Sequence, residues 1–285
     1  MSSTNPIPIS QACPRCRGTE VLFTPTAEKS MAAVCECVAE CQRCHGTGRL
    51  FQERDGALFA EPCTCRSRQK RVELYNRANI PRHFCGKGFE SFRTYEPALS
   101  DALRRVQSFA QGYPSFGKGV LLWGPTGTGK THLLAGALQH LTLERGVPAR
   151  YVEFSFLVTA IKEAFMRNVS ALVALAPLAD VEVLAIDELG KGRSTEFERE
   201  VLDELISRRY NADRTTLFAT NFNVTPRKAE LGGGGSGFVN VGQAVRESIT
   251  DHQLRERVGD RTFSRLSEMA EAIQVNARDR RVPPG

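Results

Sequence analysis

The sequence predicts an α/β protein, in which a parallel sheet with helices on both faces follows a small cysteine-rich module. Three observations support this prediction. A buried strand runs into a glycine-rich loop and a helix, a second apolar strand ends in two carboxylates, and eight cysteines recur in two matching sets. Alternating strands and helices favour a parallel sheet, because each helix carries the chain back to the same end of the sheet.

The composition is that of a folded protein with a mild basic excess. The 285 residues are 41% hydrophobic, which suffices for a packed core, and 38 basic against 32 acidic side chains give a formal charge of +6. This charge permits an anionic partner such as nucleic acid, but ordinary surface charge accounts for it equally well. Because apolar stretches long enough to cross a bilayer and a signal-peptide pattern are both missing, we expect a cytoplasmic protein without membrane contact.

The cysteines form a repeated unit. Cys13-Pro-Arg-Cys16 is followed after 18 residues by Cys35-Glu-Cys37, and Cys41-Gln-Arg-Cys44 is followed after 18 residues by Cys63-Thr-Cys65. Disulfides are rare in a reducing cytosol, and four thiolates are the ligand set of a closed tetrahedral zinc site. The sequence therefore predicts two zinc ions per chain.

The cysteine spacing also permits chemistry without zinc. Disulfide bonds and a redox dithiol are alternatives, and Cys41 to His45 spells the C-x-x-C-H pattern of covalent haem, although the sister unit carries Arg17 at the matching position. Zinc ligation within each unit and between the units both fit the spacing. Cys85 is left over and is expected to be a small buried hydrophobe.

The strand Gly119–Trp123 leads into a phosphate-binding loop. Residues 124–131 match G-x-x-x-x-G-K-[ST] in the strand–loop–helix context that this motif requires. We expect backbone amides to surround the phosphates of ATP, Lys130 to reach the β- and γ-phosphates, and the Thr131 hydroxyl to hold Mg²⁺. The predicted nucleotide-binding residues are Gly124, Pro125, Thr126, Gly127, Thr128, Gly129, Lys130, Thr131 and His132.

Two further strands are expected to bring polar side chains to the same end of the sheet. The strand at 181–186 ends in Asp187 and Glu188, and the strand at 216–220 ends in Asn221. Asp187 would order Mg²⁺, Glu188 would orient the attacking water, and Asn221 would sense the γ-phosphate. These roles predict Mg²⁺-dependent ATP hydrolysis, whereas a helix cap and a turn are the alternative roles for these residues.

Apolar residues at helical spacing are expected to line the core. They are Leu134, Leu138 and Leu141, then Leu157, Ile161 and Phe165, then Phe197, Val201, Leu202, Leu205 and Ile206. A basic helix is predicted from Arg66 to Tyr75, either as a solvated surface or as a phosphate-contacting patch. Gly232 to Gly237 is predicted to be a flexible loop.

Together these motifs resemble the DnaC/DnaI/IstB branch of the AAA+ ATPases. The resemblance spans roughly residues 41 to 281 and rests on the phosphate-binding loop and four further motifs: Ile186-Asp-Glu-Leu-Gly190, Arg209-Tyr210, Thr220-Asn221 and the stretch from Gly259 to Leu266. The cysteine units resemble the DnaJ zinc region, and the second resembles the N-terminal zinc element of DnaI-type helicase loaders. The stretch from Phe222 to Asp251 is longer than is typical of this family.

The resemblance implies a role for several arginines and for one pair of helices. Arg265 is the candidate arginine finger for a neighbouring subunit, Arg261 is the second candidate, and Arg280 is a further nucleotide sensor. Single-stranded DNA is expected against residues 155–176, where Lys162 and Arg167 are each either a phosphate contact or solvated surface.

The function implied by the resemblance is ATP-dependent loading of a replicative helicase onto single-stranded DNA, by a chain that assembles with itself when ATP is bound. An IstB-like transposition helper and a zinc-dependent, chaperone-like module regulated by nucleotide are the alternatives. The expected organisation is a disordered N-terminus at 1–11, a tandem zinc module at 12–66, a basic helix and linker at 67–100, and the ATPase domain at 101–285.

Overall fold

The computed structural model describes residues 13–38, 41, 43–45, 49–54, 57–115, 117–224 and 253–277. The strands are β1 (Val21–Pro25), β2 (Ser30–Val34), β3 (Arg49–Arg54), β4 (Ala57–Pro62), β5 (Gly119–Trp123), β6 (Ala149–Glu153), β7 (Val183–Asp187), β8 (Thr215–Thr220) and β9 (Ala270–Gln274). The helices are α1 (Thr64–Arg77), α2 (Pro97–Gly112), α3 (Lys130–Leu143), α4 (Phe154–Met166), α5 (Ala171–Ala179), α6 (Glu196–Asn211), α7 (Leu254–Val258) and α8 (Asp260–Met269).

Five strands form one parallel sheet in the order β6-β7-β8-β5-β9. The register places Glu153 beside Asp187 and Trp123 beside Thr220, so the strand ends lie at one edge. Strands β7 and β8 are buried almost throughout, which agrees with their continuous apolar sequences. The predicted α/β class, with a parallel sheet and helices on both faces, is confirmed.

Helices cover both faces of the sheet. One layer of the core packs α1, α2 and α3 against the sheet, and the other packs α4 to α8 against the opposite face. Helix α6 begins at a capping box, in which the Thr195 hydroxyl accepts a hydrogen bond from the Glu198 amide at 3.3 Å and the Glu198 carboxylate accepts one from the Thr195 amide at 3.2 Å. This cap fixes the helix that follows the loop after β7.

The first hairpin, β1–β2, packs on α1. Tyr75 and Ser30 share a hydrogen bond of 2.6 Å between their hydroxyls, both fully buried, and Asn76 pairs with the backbone N–H and C=O of Ala32. Helix α1 also packs against α3, so it joins the hairpin to the core around the parallel sheet. The second hairpin, β3–β4, exposes the side chains of Phe51, Leu58 and Phe59.

The basic helix is longer than predicted, and two of its cations have protein partners. Arg68 forms an ion pair with Glu20 at 2.5 Å, and Arg71 donates a hydrogen bond to the carbonyl of Leu143 at 3.3 Å. These contacts favour a packed helix over a phosphate-contacting patch at both positions.

Most of the predicted core residues are buried, with one correction. Phe165 is 49% exposed, although its spacing from the buried Leu157 and Ile161 predicts a core position. Phe165 lies near the end of α4. Its ring packs edge-on against the ring of Phe197, with 5.9 Å between the ring centres, instead of entering the core. Cys85 is only partly buried. Of the helices described, none combines the length and apolarity that a bilayer crossing requires.

Candidate nucleotide site

The loop between β5 and α3 has the conformation that encloses a phosphate. Gly124 has φ +140°, and a Cβ atom there would lie 2.3 Å from the carbonyl oxygen of Val275. Gly129, with φ +104°, lies just before α3. Because L-residues rarely adopt these angles, glycine is required at both turns. The dipole of α3 further favours an anion at this end of the helix.

Lys130 lies within this loop. Its ammonium donates hydrogen bonds to the carbonyls of Gly124 at 2.8 Å and Pro125 at 2.7 Å, and the residue is only 7% exposed. The Thr128 hydroxyl donates to the same Pro125 carbonyl at 3.0 Å. A positive charge thus lies among the loop residues predicted to surround the phosphates.

Asp187 is buried at the end of β7 and accepts two hydrogen bonds. They come from the hydroxyl of Tyr151 at 2.9 Å and from the amide of Glu188 at 2.8 Å. Burial raises the pKa of Asp187, while the neighbouring Thr131 and Tyr151 hydroxyls oppose that rise. The hydroxyl and carboxylate oxygens suit Mg²⁺, which prefers hard oxygen ligands.

Glu188 is tied to a residue that the sequence alone did not single out. Its carboxylate forms a close ion pair with Lys191, whose ammonium also lies 3.7 Å from the carboxylate of Glu153. Hydrogen bonding with Glu188 is the main cause that raises the pKa of Lys191. The spacing of three residues between Glu188 and Lys191 is the sequence signal for this pair.

Asn221 directly follows β8, which lies between β5 and β7. This position puts it between the phosphate-binding loop and Asp187 at the edge of the sheet. Thr220, just before it, donates a hydrogen bond from its buried hydroxyl to the carbonyl of Leu189 at 2.8 Å. The end of β8 is therefore fixed to the loop that follows Glu188.

His132 joins the phosphate-binding loop to the segment that precedes α2. Its ring lies 5.2 Å from the ring of Phe92 and 5.8 Å from that of Phe84, and it hydrogen-bonds with Ser91 at 3.0 Å. These contacts give His132 a packing role beside its predicted role in nucleotide binding.

Arg265 is engaged within its own chain. It donates a hydrogen bond to Asp203 at 3.1 Å, contacts the Ser207 hydroxyl, and lies over the ring of Tyr210. Its side chain is 18% exposed, whereas that of Arg261 is 73% exposed. Arg280 and Gly232 to Gly237 lie outside the described residues.

The cysteines form two clusters, each drawn from one repeat. The sulfurs of Cys13, Cys16, Cys35 and Cys37 all lie within 4.8 Å of one another, as do those of Cys41, Cys44 and Cys63. The side chain of Cys65 lies outside the described part of the chain.

The spacing of the sulfurs suits a metal. Cys13 and Cys35 are 3.9 Å apart, and Cys41 and Cys63 are 3.7 Å apart. Four sulfurs at zinc–sulfur distances of about 2.3 Å would lie about 3.8 Å from one another, whereas a disulfide needs about 2.05 Å. Backbone hydrogen bonds, chiefly at Cys16 and Cys44 respectively, lower the pKa of Cys13 to about 7 and that of Cys41 to about 6. These shifts favour the thiolate form that binds metal at Cys13 and Cys41, whereas hydrogen bonding with Cys35 raises the pKa of Cys37.

The helices at 155–176 expose an apolar surface. Phe156, Phe165, Met166, Leu172 and Val173 are all exposed. The Lys162 ammonium lies 5.5 Å from the centre of the Phe197 ring. The exposed side chains at the end of α4 and on α5, a group that leaves out Phe156 on the opposite side of α4, are called the α4–α5 surface below.

The fold and the site together define an AAA+ ATP-binding protein. The family described as IstB-like ATP binding protein matches residues 29–232. The chain belongs to that family. This membership confirms the resemblance inferred from the motifs.

Several relatives share the central part of the chain. The replicative helicase loader DnaC of Escherichia coli K12 is 26% identical over 164 residues, which cover 57% of this chain and 66% of DnaC. The phage-like element PBSX protein XkdC of Bacillus subtilis is 28% identical over 174 residues, or 57% of this chain and 64% of XkdC. The chain therefore spans slightly less than two thirds of the length of these relatives.

Solved structures share the fold. A crystal structure of the DnaC helicase loader superposes with a TM-score of 0.55 at 21% identity, covering 68% of this chain and 99% of that one. A primosome component from Streptococcus pyogenes serotype M3 gives a TM-score of 0.51 at 20% identity, covering 73% and 97%.

Proposed function

We propose that this chain is an Mg²⁺-dependent ATPase that loads a replicative helicase onto single-stranded DNA. The observation that supports the proposal is the buried carboxylate of Asp187 at the end of β7, whose pKa the neighbouring Thr131 of the phosphate-binding loop lowers, so that loop and carboxylate lie side by side next to Glu188. The similarity to DnaC, itself a replicative helicase loader, supports the choice of partner.

Each residue at the edge of the sheet has one task in this proposal. Lys130 binds the β- and γ-phosphates together with the loop amides, and Thr131 and Asp187 hold Mg²⁺. Bound Mg²⁺ supplies positive charge that neutralises the phosphates. Glu188 orients the attacking water and accepts its proton, while Asn221 contacts the γ-phosphate.

The α4–α5 surface is the proposed contact for single-stranded DNA. Bases stack on exposed aromatic side chains, and the half-exposed Phe165 offers one such ring beside Phe197. Lys162 adds a positive charge over the ring of Phe197, which packs against Phe165. Stacking of this kind needs unpaired bases, so it favours single-stranded over duplex DNA.

The cysteine clusters are proposed to bind one zinc ion each, within a module that covers residues 12–66. Phe51 and Leu58, which are exposed on one face of the second hairpin, then offer an apolar surface to the helicase. A basic helix and linker at 67–100 and an ATPase domain at 101–285 complete the proposed organisation.

The ATPase proposal is tested with two variants that separate binding from hydrolysis. Lys130→Ala is expected to lose ATP binding, whereas Glu188→Gln is expected to bind ATP–Mg²⁺ normally and to lose hydrolysis. Calorimetric titration and phosphate release measure the two properties. Full hydrolysis by Glu188→Gln would contradict the role of Glu188.

A transposition helper is the second candidate, because the matching family is described as IstB-like. The two candidates differ in the DNA that they bind. A loader is expected to prefer single-stranded DNA and to capture a replicative helicase when ATP is present. Tighter binding to duplex DNA, together with capture of a transposase, would support the second candidate and contradict the first.

A further inference from the structure

Lys191 bridges two carboxylates at the edge of the sheet. Its ammonium forms a close ion pair with Glu188 and lies 3.7 Å from Glu153, whose carboxylate also accepts a hydrogen bond from the Ser155 hydroxyl at 2.6 Å. Lys191 is 56% exposed, but Glu188 and Glu153 are only 31% and 23% exposed. The bridge therefore connects two partly buried acids through a more exposed cation.

The bridge draws Glu188 towards one side of β7. Glu153 ends β6, which neighbours β7 on the side opposite to β8. The phosphate-binding loop follows β5, which lies beyond β8. A Glu188 carboxylate that points towards Glu153 and Lys191 therefore points away from the strand that carries the loop.

The backbone at Glu188 leaves only the side chain free to move. Glu188 has φ +52°, the amide of Leu189 donates to the carbonyl of Ala219 at 2.8 Å, and the amide of Lys191 donates to the carbonyl of Glu188 at 3.0 Å. A turn held in this way cannot slide along the sheet. The position of the carboxylate thus depends on its rotamer and on its ion pair.

We propose that Lys191 is a positioning residue that restrains the carboxylate of Glu188 on the β6 side of the sheet before hydrolysis. This inference rests on the proposed function, because Glu188 acts on water only in an ATPase. Glu153 competes for the same ammonium and so limits the restraint. Removing Lys191 and removing Glu153 therefore have opposite effects.

The steady-state test removes the charge of Lys191 or of Glu153. Lys191→Met is expected to raise kcat up to roughly fivefold, the scale set by an exposed ion pair, while KM for ATP is unchanged. Glu153→Gln is expected to lower kcat, because Lys191 then pairs with Glu188 alone. Lys191→Arg should retain the wild-type rate, and the double variant Glu153→Gln/Lys191→Met should behave like Lys191→Met. The control is Arg193→Met, which changes an exposed cation two residues away.

A second test does not depend on hydrolysis. Acetylation of lysines in the nucleotide-free full-length protein is followed by mass spectrometry, with the exposed Lys118 as internal reference. Relative to Lys118, Lys191 is expected to react roughly two- to fivefold faster in Glu188→Gln than in the wild type, because its closer ion pair is lost and Glu153, at 3.7 Å, holds the ammonium less tightly.

The outcomes separate the two proposals. Equal labelling of Lys191 in the wild type and in Glu188→Gln, or a kcat for Lys191→Met no higher than that of the wild type, would overturn the role of Lys191. A wild-type chain that neither binds nor hydrolyses ATP would instead overturn the proposed function, and calorimetry on the same samples detects that case.

Discussion

Tyr151 donates a hydrogen bond from its hydroxyl to Oδ2 of Asp187 at 2.9 Å, across the neighbouring strands β6 and β7. Burial, followed by the nearby charge of Asp187, raises the pKa of Tyr151 well above its usual value, so the hydroxyl stays protonated. This bond orients a carboxylate that is proposed to hold Mg²⁺.

Replacing Tyr151 by Phe keeps the ring and removes the donor. We expect the Mg²⁺ concentration for half-maximal hydrolysis to rise roughly tenfold, because the hydrogen-bond partners of metal ligands typically have effects of this size. An Mg²⁺ titration of phosphate release measures it, and ATP binding without Mg²⁺ is the control. An unchanged Mg²⁺ requirement would show that Asp187 needs no such partner.

The zinc content of single-cysteine variants should show whether each cysteine cluster binds its own ion. Cys35→Ser and Cys44→Ser each remove one buried thiol, and each is expected to lower the zinc content from two ions per chain to one. Only Cys35→Ser should also lower the Tm of the ATPase core, because the first hairpin packs on α1. Elemental analysis and calorimetry measure both effects, with Cys85→Ser as control. Loss of both ions from either variant would indicate ligation between the units.

The buried hydroxyl of Tyr75 should make the folded state less stable at alkaline pH. Burial raises its pKa to about 12, against about 10 in the unfolded chain. As the pH rises, the unfolded chain therefore loses this proton before the folded chain does. The contribution of Tyr75 to the free energy of unfolding is fully present below pH 10 and falls by roughly 2 kcal/mol between pH 10 and pH 12. Tyr75→Phe should cost about 1 kcal/mol at pH 8 through the lost bond to Ser30, yet fall less steeply above pH 10.

Urea unfolding at pH 8, 10 and 11 measures this difference. Tyr95→Phe is the matched control, since Tyr95 is 72% exposed and should leave the pH dependence unchanged. Parallel pH profiles for the wild type and Tyr75→Phe would contradict the prediction.

Arg209 is a buried cation that satisfies backbone carbonyls. It is fully buried and donates to the carbonyls of Leu178, Ala179, Val181, Glu182 and Thr215 and to the hydroxyl of Thr216. Desolvation lowers its pKa to about 9.

Arg209→Met leaves several of these carbonyls without a donor. We expect the free energy of unfolding to fall by at least about 3 kcal/mol. Arg208→Met, which removes only the ion pair with Glu204 on the same helix, should cost less than about 1 kcal/mol. Chemical denaturation measures the free energy of unfolding of both variants. Equal losses would contradict the stabilising role of the carbonyl contacts of Arg209.

The family resemblance makes Arg265 the candidate that acts on a neighbouring subunit, and this role requires that it leave its intrachain partner Asp203 on assembly. Arg265→Ala should lower kcat at least about 100-fold at concentrations where the chain assembles, while Arg261→Ala should stay within about twofold of the wild type. The decisive measurement is hydrolysis by a mixture of the two variant proteins. In the mixture, the Arg265→Ala chain supplies an intact Glu188, and the Glu188→Gln chain supplies an intact Arg265. Hydrolysis by the mixture, with neither variant active alone, supports the shared site, and an inactive mixture contradicts it.

The sequence predicted the centre of the sheet better than its edges. Strands β5, β7 and β8 are short apolar stretches that end in motif residues, so their type and approximate position follow from the sequence. The residues of β6 and β9 alternate in polarity irregularly, and their pairing depends on the rest of the sheet. Phe165 was misplaced because helical spacing indicates a face of the helix but not where the neighbouring layer ends.

The predicted site residues came from local motifs, and the missed ones depend on tertiary contacts. The spacing within 124–131 predicts the loop because every contact there is local. Tyr151 is adjacent to Asp187 only through the pairing of β6 with β7, and Lys191 meets Glu153 only at the end of that pair. Such relationships between strands leave no periodic pattern in one sequence.

Helix α1 has a mechanical consequence. It touches the first cysteine hairpin on one side and α3 on the other, and α3 begins at Lys130. A displacement of the hairpin would therefore be felt by the helix whose first residue is proposed to bind the triphosphate.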